Sequence, residues 1–364
     1  MNDKTIQNLF YSFNVKADIV NWAPYGNGHI NDTILIRTKP EAAPDYILQR
    51  KNHKIFKNVP GMLDNIVKAT DHIRNKLISQ GIRDIDRRVM TYYPAKNGEM
   101  FVHDREGNFW TLFLFIPDSR GIEAIENPEQ AFMAARAFGN FQKQLSDLPG
   151  EELIETIPDF HNGISRLKDF QRSIDENKAG RVNETQELIT KILDQAQEMT
   201  LIQQWLNEKL IPLRITHNDT KINNILFDDQ DNALCIIDLD TVMPGSALYD
   251  FGDAIRTIGN KAPEDEPELG KIEFNGPIFE AFARGYLSEA RSFLTQKEVE
   301  NLVFSCLYMA WEQAMRFLTD YLSGDIYYKI AYPLHNLVRT KAQVRYLEVL
   351  EENRAGMEEI ISNC

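Results

Sequence analysis

The chain has 364 residues, and its 54 acidic residues outnumber its 40 lysines and arginines, giving a formal charge of −14. This acidic balance disfavours nucleic acids and anionic membrane surfaces as partners, because both are bound through a basic face. Hydrophobic residues make up 43% of the sequence, which excludes a largely disordered chain. Three cysteines without a CxxC pair indicate a reducing, cytoplasmic location and disfavour a structural zinc site.

The first third of the chain is predicted to form mainly β-strands, interrupted by one helix. Runs of β-branched and aromatic residues predict the strands, and the apolar spacing after Pro60 predicts a helix that ends at Gln80. The acidic and glycine residues of Asp104–Gly107 predict a hairpin turn. The predicted strands cover residues 18–25, 32–37, 45–50, 89–93 and 110–116.

The remainder of the chain is predicted to be helical, apart from a strand-rich island at residues 211–240. The acidic run at residues 264–268 is expected to be a solvated loop. These elements predict an α+β protein with a small, mainly β N-terminal lobe, residues 1–116, and a larger helical C-terminal lobe, residues 117–364. The predicted helices cover residues 128–145, 186–210, 274–287, 295–322 and 334–352.

The strand-rich island contains the pattern H-x-D-x-x-x-x-N, formed by His217, Asp219 and Asn224, and a following apolar strand ends in Asp238. In phosphoryl transfer the protein positions the reacting groups and holds magnesium against the phosphate charge. Asp219 is the predicted catalytic residue, since it can accept the proton of an attacking hydroxyl. Asn224 and Asp238 are the predicted metal ligands, since magnesium prefers such hard oxygen atoms. The pattern therefore predicts a phosphotransferase.

Other polar residues in and after the island are predicted to support the catalytic loop rather than to react. His217 is predicted to be a buried hydrogen-bonding residue that shapes the loop rather than a general base. For Asp240, a second metal contact and a loop-capping role are both open. Asp250 and Asp253 are predicted to brace the catalytic loop or to cap a helix, and Arg256 is one turn from Asp253 and could pair with it.

These motifs resemble the aminoglycoside phosphotransferase-like kinases, which share a two-lobed protein-kinase-like fold. The longer sequences HNDTKINN and IDLDTVMPG, with YDFGD after them, resemble the bacterial N-acetylhexosamine 1-kinases more closely. The same is true of IPDFHN (157–162), RFLTDYLSGD (316–325) and HNLVRTKAQ (335–343). The resemblance implies a kinase that uses ATP and Mg²⁺ to phosphorylate the anomeric hydroxyl of N-acetylglucosamine or N-acetylgalactosamine.

A glycine loop in the N-terminal lobe is the predicted phosphate-binding segment. The sequence YGNGHINDT lies between two predicted strands, and glycine lets a backbone bend closely over phosphates. The resemblance implies that this loop covers ATP. The predicted nucleotide contacts in the loop are Gly26, Gly28, His29, Asn31 and Thr33.

The next strand should contact the nucleotide as well. Protein kinases place a lysine on this strand to grip the phosphates, and the aligned position holds Gln49, with Arg50 beside it. Because side chains alternate along a strand, only one of the two faces the phosphates. Gln49 does so if Ile47 lies over adenine, and Arg50 does so if Leu48 lies there. Leu114 and Ile116 form the predicted adenine hinge, which would bind through backbone groups.

On the acceptor side, the resemblance places Arg316 and Tyr327 at the sugar, and His161 is a further candidate for substrate contact. One alternative is a kinase for another small hydroxyl compound, such as an aminoglycoside, choline or homoserine. Another is a nucleotide-binding regulator with little catalysis, because Gln49 occupies the usual lysine position. No nucleic-acid, membrane or obligate protein partner is predicted.

Overall fold

The computed structural model describes residues 2–26, 31–39 and 43–364, which form two compact units. The first unit runs to Gly121 and also contains residues 152–158 and 225–243. The second unit contains residues 122–151, 159–224 and 244–364. The lobe boundary after residue 116 stays a prediction. Within the described residues, no helix is both long and apolar enough to cross a bilayer.

The first unit is built on an antiparallel sheet. Its strand order is β1-β2-β3-β6-β4, and β5 also pairs with β6, while a smaller sheet of this unit has the order β10-β9-β7. A separate two-stranded sheet, made of β8 and β11, contains residues outside this unit. The strands are β1 (Ile19–Pro24), β2 (Asp32–Thr38), β3 (Tyr46–Lys51), β4 (Tyr92–Tyr93), β5 (Val102–His103), β6 (Phe109–Leu114), β7 (Arg120–Gly121), β8 (Arg214–Thr216), β9 (Ile225–Phe227), β10 (Ala233–Ile236) and β11 (Met243–Gly245).

The larger sheet of the first unit is covered on one face by the N-terminal helix. Phe10 is completely buried in a cluster that also contains Leu48 and Leu112 from the sheet. The predicted hairpin at Asp104–Gly107 is confirmed, since β5 and β6 pair on either side of it and Gly107 has φ +80°. This positive φ explains the glycine, because side-chain-bearing residues rarely adopt it.

Helices dominate the second unit, where α11 is buried along nearly its whole length against α4, α8 and α12. A second pair, α3 and α9, packs closely together. The helices of both units are α1 (Asp3–Phe10), α2 (Val59–Ser79), α3 (Pro128–Leu145), α4 (Gly163–Glu176), α5 (Gln186–Asp194), α6 (Ala196–Met199), α7 (Leu201–Asn207), α8 (Ala247–Ile258), α9 (Gly276–Ala290), α10 (Gln296–Glu300), α11 (Leu302–Ser323) and α12 (His335–Ser362).

The predicted α+β organisation is confirmed, and the differences lie at the ends and interruptions of elements. The helix predicted at residues 186–210 is divided into α5, α6 and α7, and the strand predicted at residues 89–93 shortens to β4. The helix predicted at residues 295–322 is interrupted at Asn301, whose Nδ2 donates to the Lys297 carbonyl at 2.7 Å. Such a local side-chain bond competes with regular helix bonding. Helices α1 and α4 were not predicted.

Candidate active site

The H-x-D loop follows β8 and is held by two carboxylates of α8. Asp250 accepts hydrogen bonds from the backbone N–H groups of His217 (2.9 Å) and Asn218 (2.7 Å). Asp253 accepts from the N–H of Thr220 at 3.0 Å. The bracing roles predicted for both aspartates are therefore confirmed, as is the burial of His217. Because three backbone donors are fixed by one helix, the loop has a defined conformation around the predicted catalytic carboxylate.

Asp219 lies on this loop with a cation beside it. Its Oδ1 is 2.9 Å from Lys221 Nζ, and its Oδ2 accepts from Asn224 Nδ2 at 3.2 Å. Burial acts to raise the pKa of Asp219, but Lys221, His217 and Asn224 together outweigh it, so the pKa lies below the usual aspartate range. Asp219 is therefore ionised at neutral pH and can receive a hydrogen bond or a proton from a hydroxyl.

Asn224 is oriented by the same loop. Its Nδ2 also donates to the Asp219 carbonyl at 2.8 Å, and Oδ1 has no hydrogen-bond partner among the described residues. An amide oxygen left available in this way is the donor that a magnesium ion would use. The described chain contains no cluster of three His, Cys, Asp or Glu side chains that could enclose a metal.

The second predicted metal ligand, Asp238, belongs to the first unit. It follows β10 in the left-handed conformation, with φ +59° and ψ +54°. Burial raises the pKa of Tyr92 well above its usual value, and the charges of Asp240 and Asp238 raise it further. The assignment of Asp238 and Asn224 to magnesium stays a prediction.

Asp240, for which two roles were left open, forms a buried ion pair with Lys51. Its Oδ1 is 2.5 Å from Lys51 Nζ, and its Oδ2 accepts from Asn31 Nδ2 at 2.8 Å. The side chains of Lys51 and Asp240 are only 1% and 4% exposed. Both carboxylate oxygens therefore have protein partners, which favours a structural role, as the loop-capping alternative also proposed, over a second metal contact.

The structure excludes one of the two orientations predicted for β3. Leu48 is fully buried in the cluster that includes α1, so the alternative in which Leu48 lies over adenine is wrong. Arg50 instead forms an ion pair with Asp32 near the surface. Gln49 lies on the opposite face, where its Oε1 accepts from Lys51 Nζ at 2.5 Å. Sequence reasoning missed Lys51, although alternation along the strand places it on the same face as Gln49.

The glycine loop is only partly described. Gly26 has φ +76°, as expected for a glycine that turns the chain, whereas Gly28 and His29 lie outside the described residues. Thr33 Oγ1 accepts from Gln49 Nε2 at 3.0 Å. In the predicted hinge, the N–H of Leu114 donates to a backbone carbonyl of the same unit. The nucleotide contacts assigned to these residues and to Asn31 and Ile116 stay predictions.

His161 connects helix α11 to the H-x-D loop. Its Nδ1 is 2.7 Å from Glu312 Oε2, and its Nε2 donates to the Asn218 carbonyl at 3.2 Å. Burial acts to raise the pKa of Glu312, but the interactions with His161 and the charges of Arg316 and Arg166 together outweigh it, so the pKa is lowered. The imidazole of His161 thus lies between two acceptor atoms, one on α11 and one on the H-x-D loop. Its ring nitrogens are both engaged, so the predicted substrate contact stays a prediction that these bonds do not support.

The other two acceptor residues, Arg316 and Tyr327, lie in the second unit. The guanidinium of Arg316 lies over the Phe160 ring, 4.8 Å from its centre, and 5.9 Å from the centre of the Tyr328 ring. Among the described residues no carboxylate lies within ion-pairing distance of Arg316, whose one hydrogen bond, to Gln313, is 3.5 Å long. Tyr327 is 56% exposed. Both side chains thus have capacity to contact a ligand.

Two further charged contacts were missed or only partly foreseen. The predicted pairing of Arg256 with Asp253 is confirmed at 2.9 Å. The acidic run at residues 264–268 is largely exposed, as expected, but Glu264 binds Arg256 at 2.5 Å and Asp265 lies 2.9 Å from His335 Nε2. The sequence of an acidic run does not indicate which of its carboxylates will pair with cationic residues that are distant in the chain.

Comparisons with known proteins agree with this architecture. The model of the phosphotransferase enzyme family matches residues 21–292. An aminoglycoside phosphotransferase from Alicyclobacillus acidocaldarius has 11% identity and a TM-score of 0.63, over 97% of this chain and 96% of that one. The microcompartment-associated aminopropanol kinase has 15% identity and a TM-score of 0.58, over 98% and 99%. A spectinomycin phosphotransferase in complex with ADP and spectinomycin has 14% identity and a TM-score of 0.53, over 100% and 99%. These likenesses confirm the predicted kinase-like fold.

Proposed function

Because the chain belongs to the phosphotransferase enzyme family, we propose that it transfers the γ-phosphoryl group of ATP to the anomeric hydroxyl of an N-acetylhexosamine. The oxygen–phosphorus bond to the sugar forms as the bond to ADP breaks, and the hydroxyl proton passes to Asp219. Asn224 and Asp238 are the residues that would hold Mg²⁺, and the ion would supply positive charge against the phosphates. The products are ADP and a sugar 1-phosphate.

Transfer to a hydroxyl is supported by the environment of Asp219. An ionised carboxylate, fixed on a braced loop, can orient an alcohol and remove its proton. Lys221, 2.9 Å from the carboxylate, places a positive charge where phosphate charge would develop. A nucleotide-binding regulator without catalysis would have no use for this arrangement, so the enzymatic alternative is favoured.

The single observation that carries the choice of acceptor is the unpaired Arg316. A guanidinium that lies over Phe160 and near Tyr328 can donate hydrogen bonds to hydroxyl and carbonyl oxygens of a neutral sugar. The same charge would repel an ammonium group. Phe160 adjoins His161, which binds the carbonyl of Asn218, so this stack is connected directly to the loop that carries Asp219. A neutral sugar is therefore favoured over a cationic acceptor.

A cationic acceptor is the second candidate. The aminopropanol kinase and the spectinomycin phosphotransferase are named for amine-bearing substrates, and this chain has the same fold. If this chain resembles them in substrate as well, amino alcohols or aminoglycosides should be phosphorylated in preference to N-acetylglucosamine. The two candidates differ in the charge of the acceptor, which an assay can vary directly.

The test is a screen of acceptors with ATP and Mg²⁺, in which ADP release is measured. The panel contains N-acetylglucosamine, N-acetylgalactosamine, glucose, choline, ethanolamine, 1-amino-2-propanol and spectinomycin. We expect turnover with the N-acetylhexosamines, and NMR of the product should show phosphate on the anomeric oxygen. Turnover confined to the amines would replace the sugar by a cationic acceptor. Absence of turnover with every hydroxyl compound would contradict the proposed function.

Variants of the same assay test the chemical roles. Asp219→Asn should lower turnover by about 100-fold or more, the scale of lost general-base catalysis, and Asp238→Asn should abolish it. Asp229→Asn is the matched control, because Asp229 is an exposed residue in a turn of the same island. Full turnover in the Asp219 or Asp238 variant would exclude that residue from the reaction.

A further inference from the structure

The segment that follows α11 is fixed by one buried carboxylate. Asp320, only 4% exposed, accepts hydrogen bonds from three successive backbone N–H groups. Its Oδ1 accepts from Ile326 (2.9 Å) and Tyr327 (2.8 Å), and its Oδ2 accepts from Tyr328 (3.0 Å). Bonds from several amides to an ionised group are stronger than those between neutral groups. The backbone of residues 326–328 is therefore held in one conformation.

Further bonds extend this network to α12. Asn336 Nδ2 donates to Asp320 Oδ2 at 2.8 Å and to Asp325 Oδ1 at 2.9 Å. The other oxygen of Asp325 is 2.6 Å from Arg181 Nη1. Asn336 is completely buried, and Asp325 has φ +60°, a conformation that such bonds help to stabilise. Residues from two separate motifs, 316–325 and 335–343, thus cooperate in holding one short segment.

The fixed segment presents apolar and aromatic side chains to solvent. Ile326 is 80% exposed and Tyr327 is 56% exposed. The next residue, Tyr328, is less exposed and packs near the Arg316 guanidinium. Its hydroxyl oxygen accepts a hydrogen bond from Gln313 Nε2 at 3.1 Å. Large exposed side chains on a rigid backbone suit ligand binding, because little conformational entropy is lost when the ligand binds.

We propose that Asp320 is a positioning residue that holds Tyr327 and Tyr328 against the acceptor and thereby sets its affinity. Asp320 is too buried to touch the acceptor, so it acts through the backbone of the segment. The inference rests on the proposed function, because it takes Arg316 and Tyr327 as the acceptor side. It adds a role for a residue that takes no part in phosphoryl transfer.

The variant Asp320→Asn tests this role. The amide keeps one accepting oxygen but points an NH₂ group at N–H donors, so part of the network is lost. We expect KM for the acceptor to rise about 10-fold, whereas kcat and KM for ATP stay within about 2-fold, since only uniform acceptor binding is weakened. Asp169→Asn is the control, because it removes a charge from an exposed ion pair of α4.

A double-mutant cycle identifies the route through Tyr327. Tyr327→Ala should raise the acceptor KM, and adding Asp320→Asn should raise it little further, because the two residues then act through one contact. Additive effects would overturn the assigned route. If Asp320→Asn does not fold, Asn336→Ala removes a single donor from the same carboxylate and should give a smaller rise in KM.

Calorimetry of acceptor binding distinguishes failure of this inference from failure of the proposed function. The probe is N-acetylglucosamine, or the acceptor identified by the screen. Ten-fold weaker binding by Asp320→Asn, measured at a temperature where circular dichroism shows both proteins folded, supports the positioning role even where turnover is absent. Equal binding by the variant and the wild type overturns that role alone. A wild-type chain that binds no acceptor overturns both.

Discussion

Among the described residues of the first unit, Lys51 and Asp240 are the charged side chains most completely buried from water. Neither is more than 4% exposed, and their shared hydrogen bond is 2.5 Å long. Gln49 and Asn31 supply further bonds to the lysine and the carboxylate respectively. A buried charge that loses its partner costs far more than an exposed one, because water cannot replace the missing bond. The pair therefore links β3 to the segment that follows Asp238.

The variant Lys51→Met should destabilise the protein. It leaves the Asp240 carboxylate buried with only Asn31 as a donor, and we expect the free energy of unfolding to fall by about 3–5 kcal/mol. Urea denaturation monitored by circular dichroism measures this change. Adding Asp240→Asn to Lys51→Met should recover part of the loss, because the uncompensated charge is then removed.

Arg50→Met is the matched control for this substitution. Arg50 is the next residue towards the N-terminus of the strand, lies on the other face and pairs with Asp32 in an exposed position. Exposed ion pairs contribute about 0–1 kcal/mol, so this variant should be nearly as stable as the wild type. Equal stabilities for the Lys51 and Arg50 variants would contradict the importance of the buried pair.

The same residues show what could be predicted along a single strand. Alternation of side chains correctly reduced the question to two faces, and the burial of Leu48 in the structure selects the face of Gln49. The sequence did not reveal Lys51 as the buried cation, because a lysine at the end of a strand is usually solvated. Its partner Asp240 is 189 residues away in the chain, so only the fold brings the two together.

Helices α3 and α9 pack at a distance that only glycine permits. A Cβ atom added to Gly285 would lie 2.4 Å from the Phe132 carbonyl oxygen, and one added to Gly139 would lie 2.8 Å from the Tyr286 carbonyl oxygen. The two glycines thus bring each helix backbone close to the other. Neither contact was predicted. A glycine within a helix normally destabilises it, and the sequence does not show whether a neighbouring backbone approaches closely enough to require one.

We expect Gly285→Ala to lower the free energy of unfolding by about 1–3 kcal/mol, because the helices must separate to admit the methyl group. Gly356→Ala is the matched control, since Gly356 lies within α12 and nothing stands within 4 Å of an added Cβ. Alanine there should stabilise the helix by up to about 1 kcal/mol. Urea denaturation of both variants should therefore give opposite signs, and a stabilising Gly285→Ala would contradict the close packing.

At the level of elements, periodicity predicted the helices better than their interruptions. The helix at residues 128–145 was predicted with the observed ends, since Asn127 caps it and Pro128 begins it. At the interruption, the side chain of Asn301 donates to the Lys297 carbonyl, a local bond that periodicity does not detect. The spacing of apolar residues indicates which face of a helix is buried, but it does not indicate whether the helix continues without interruption.

Across the whole molecule, the sequence predicted which residues form the candidate site, but it did not predict the distant residues that hold them in position. The loop of His217, Asp219 and Asn224 could be predicted because its residues are close in sequence. The carboxylate of Asp320 and the amide of Asn336 belong to separate motifs, and their hydrogen bond requires the folded second unit. Local chemistry was therefore accessible from the sequence, whereas the groups that hold it in place were not.

The three cysteines sample different parts of the molecule. Cys235 lies on β10 in the first unit and Cys306 on α11 in the second, and both are buried, whereas Cys364 ends the chain and is partly exposed. Burial raises the pKa of Cys235 to about 12 and that of Cys306 even further. Since the thiolate is the reactive form, both should be inert in the folded protein.

Partial burial raises the pKa of Cys364 too, but its thiol is more accessible than the other two. Labelling with a thiol reagent at about pH 8.5, near the pKa of an ordinary thiol, should therefore modify one cysteine faster than the others in the native protein and all three in denaturant. Mass spectrometry should assign the rapid site to Cys364, and Cys364→Ser should remove it. Rapid native labelling of Cys235 or Cys306 would contradict the burial of that residue. As denaturant is added, labelling of Cys235 reports opening of the first unit and labelling of Cys306 reports opening of the second, so different onsets would show that the units open separately.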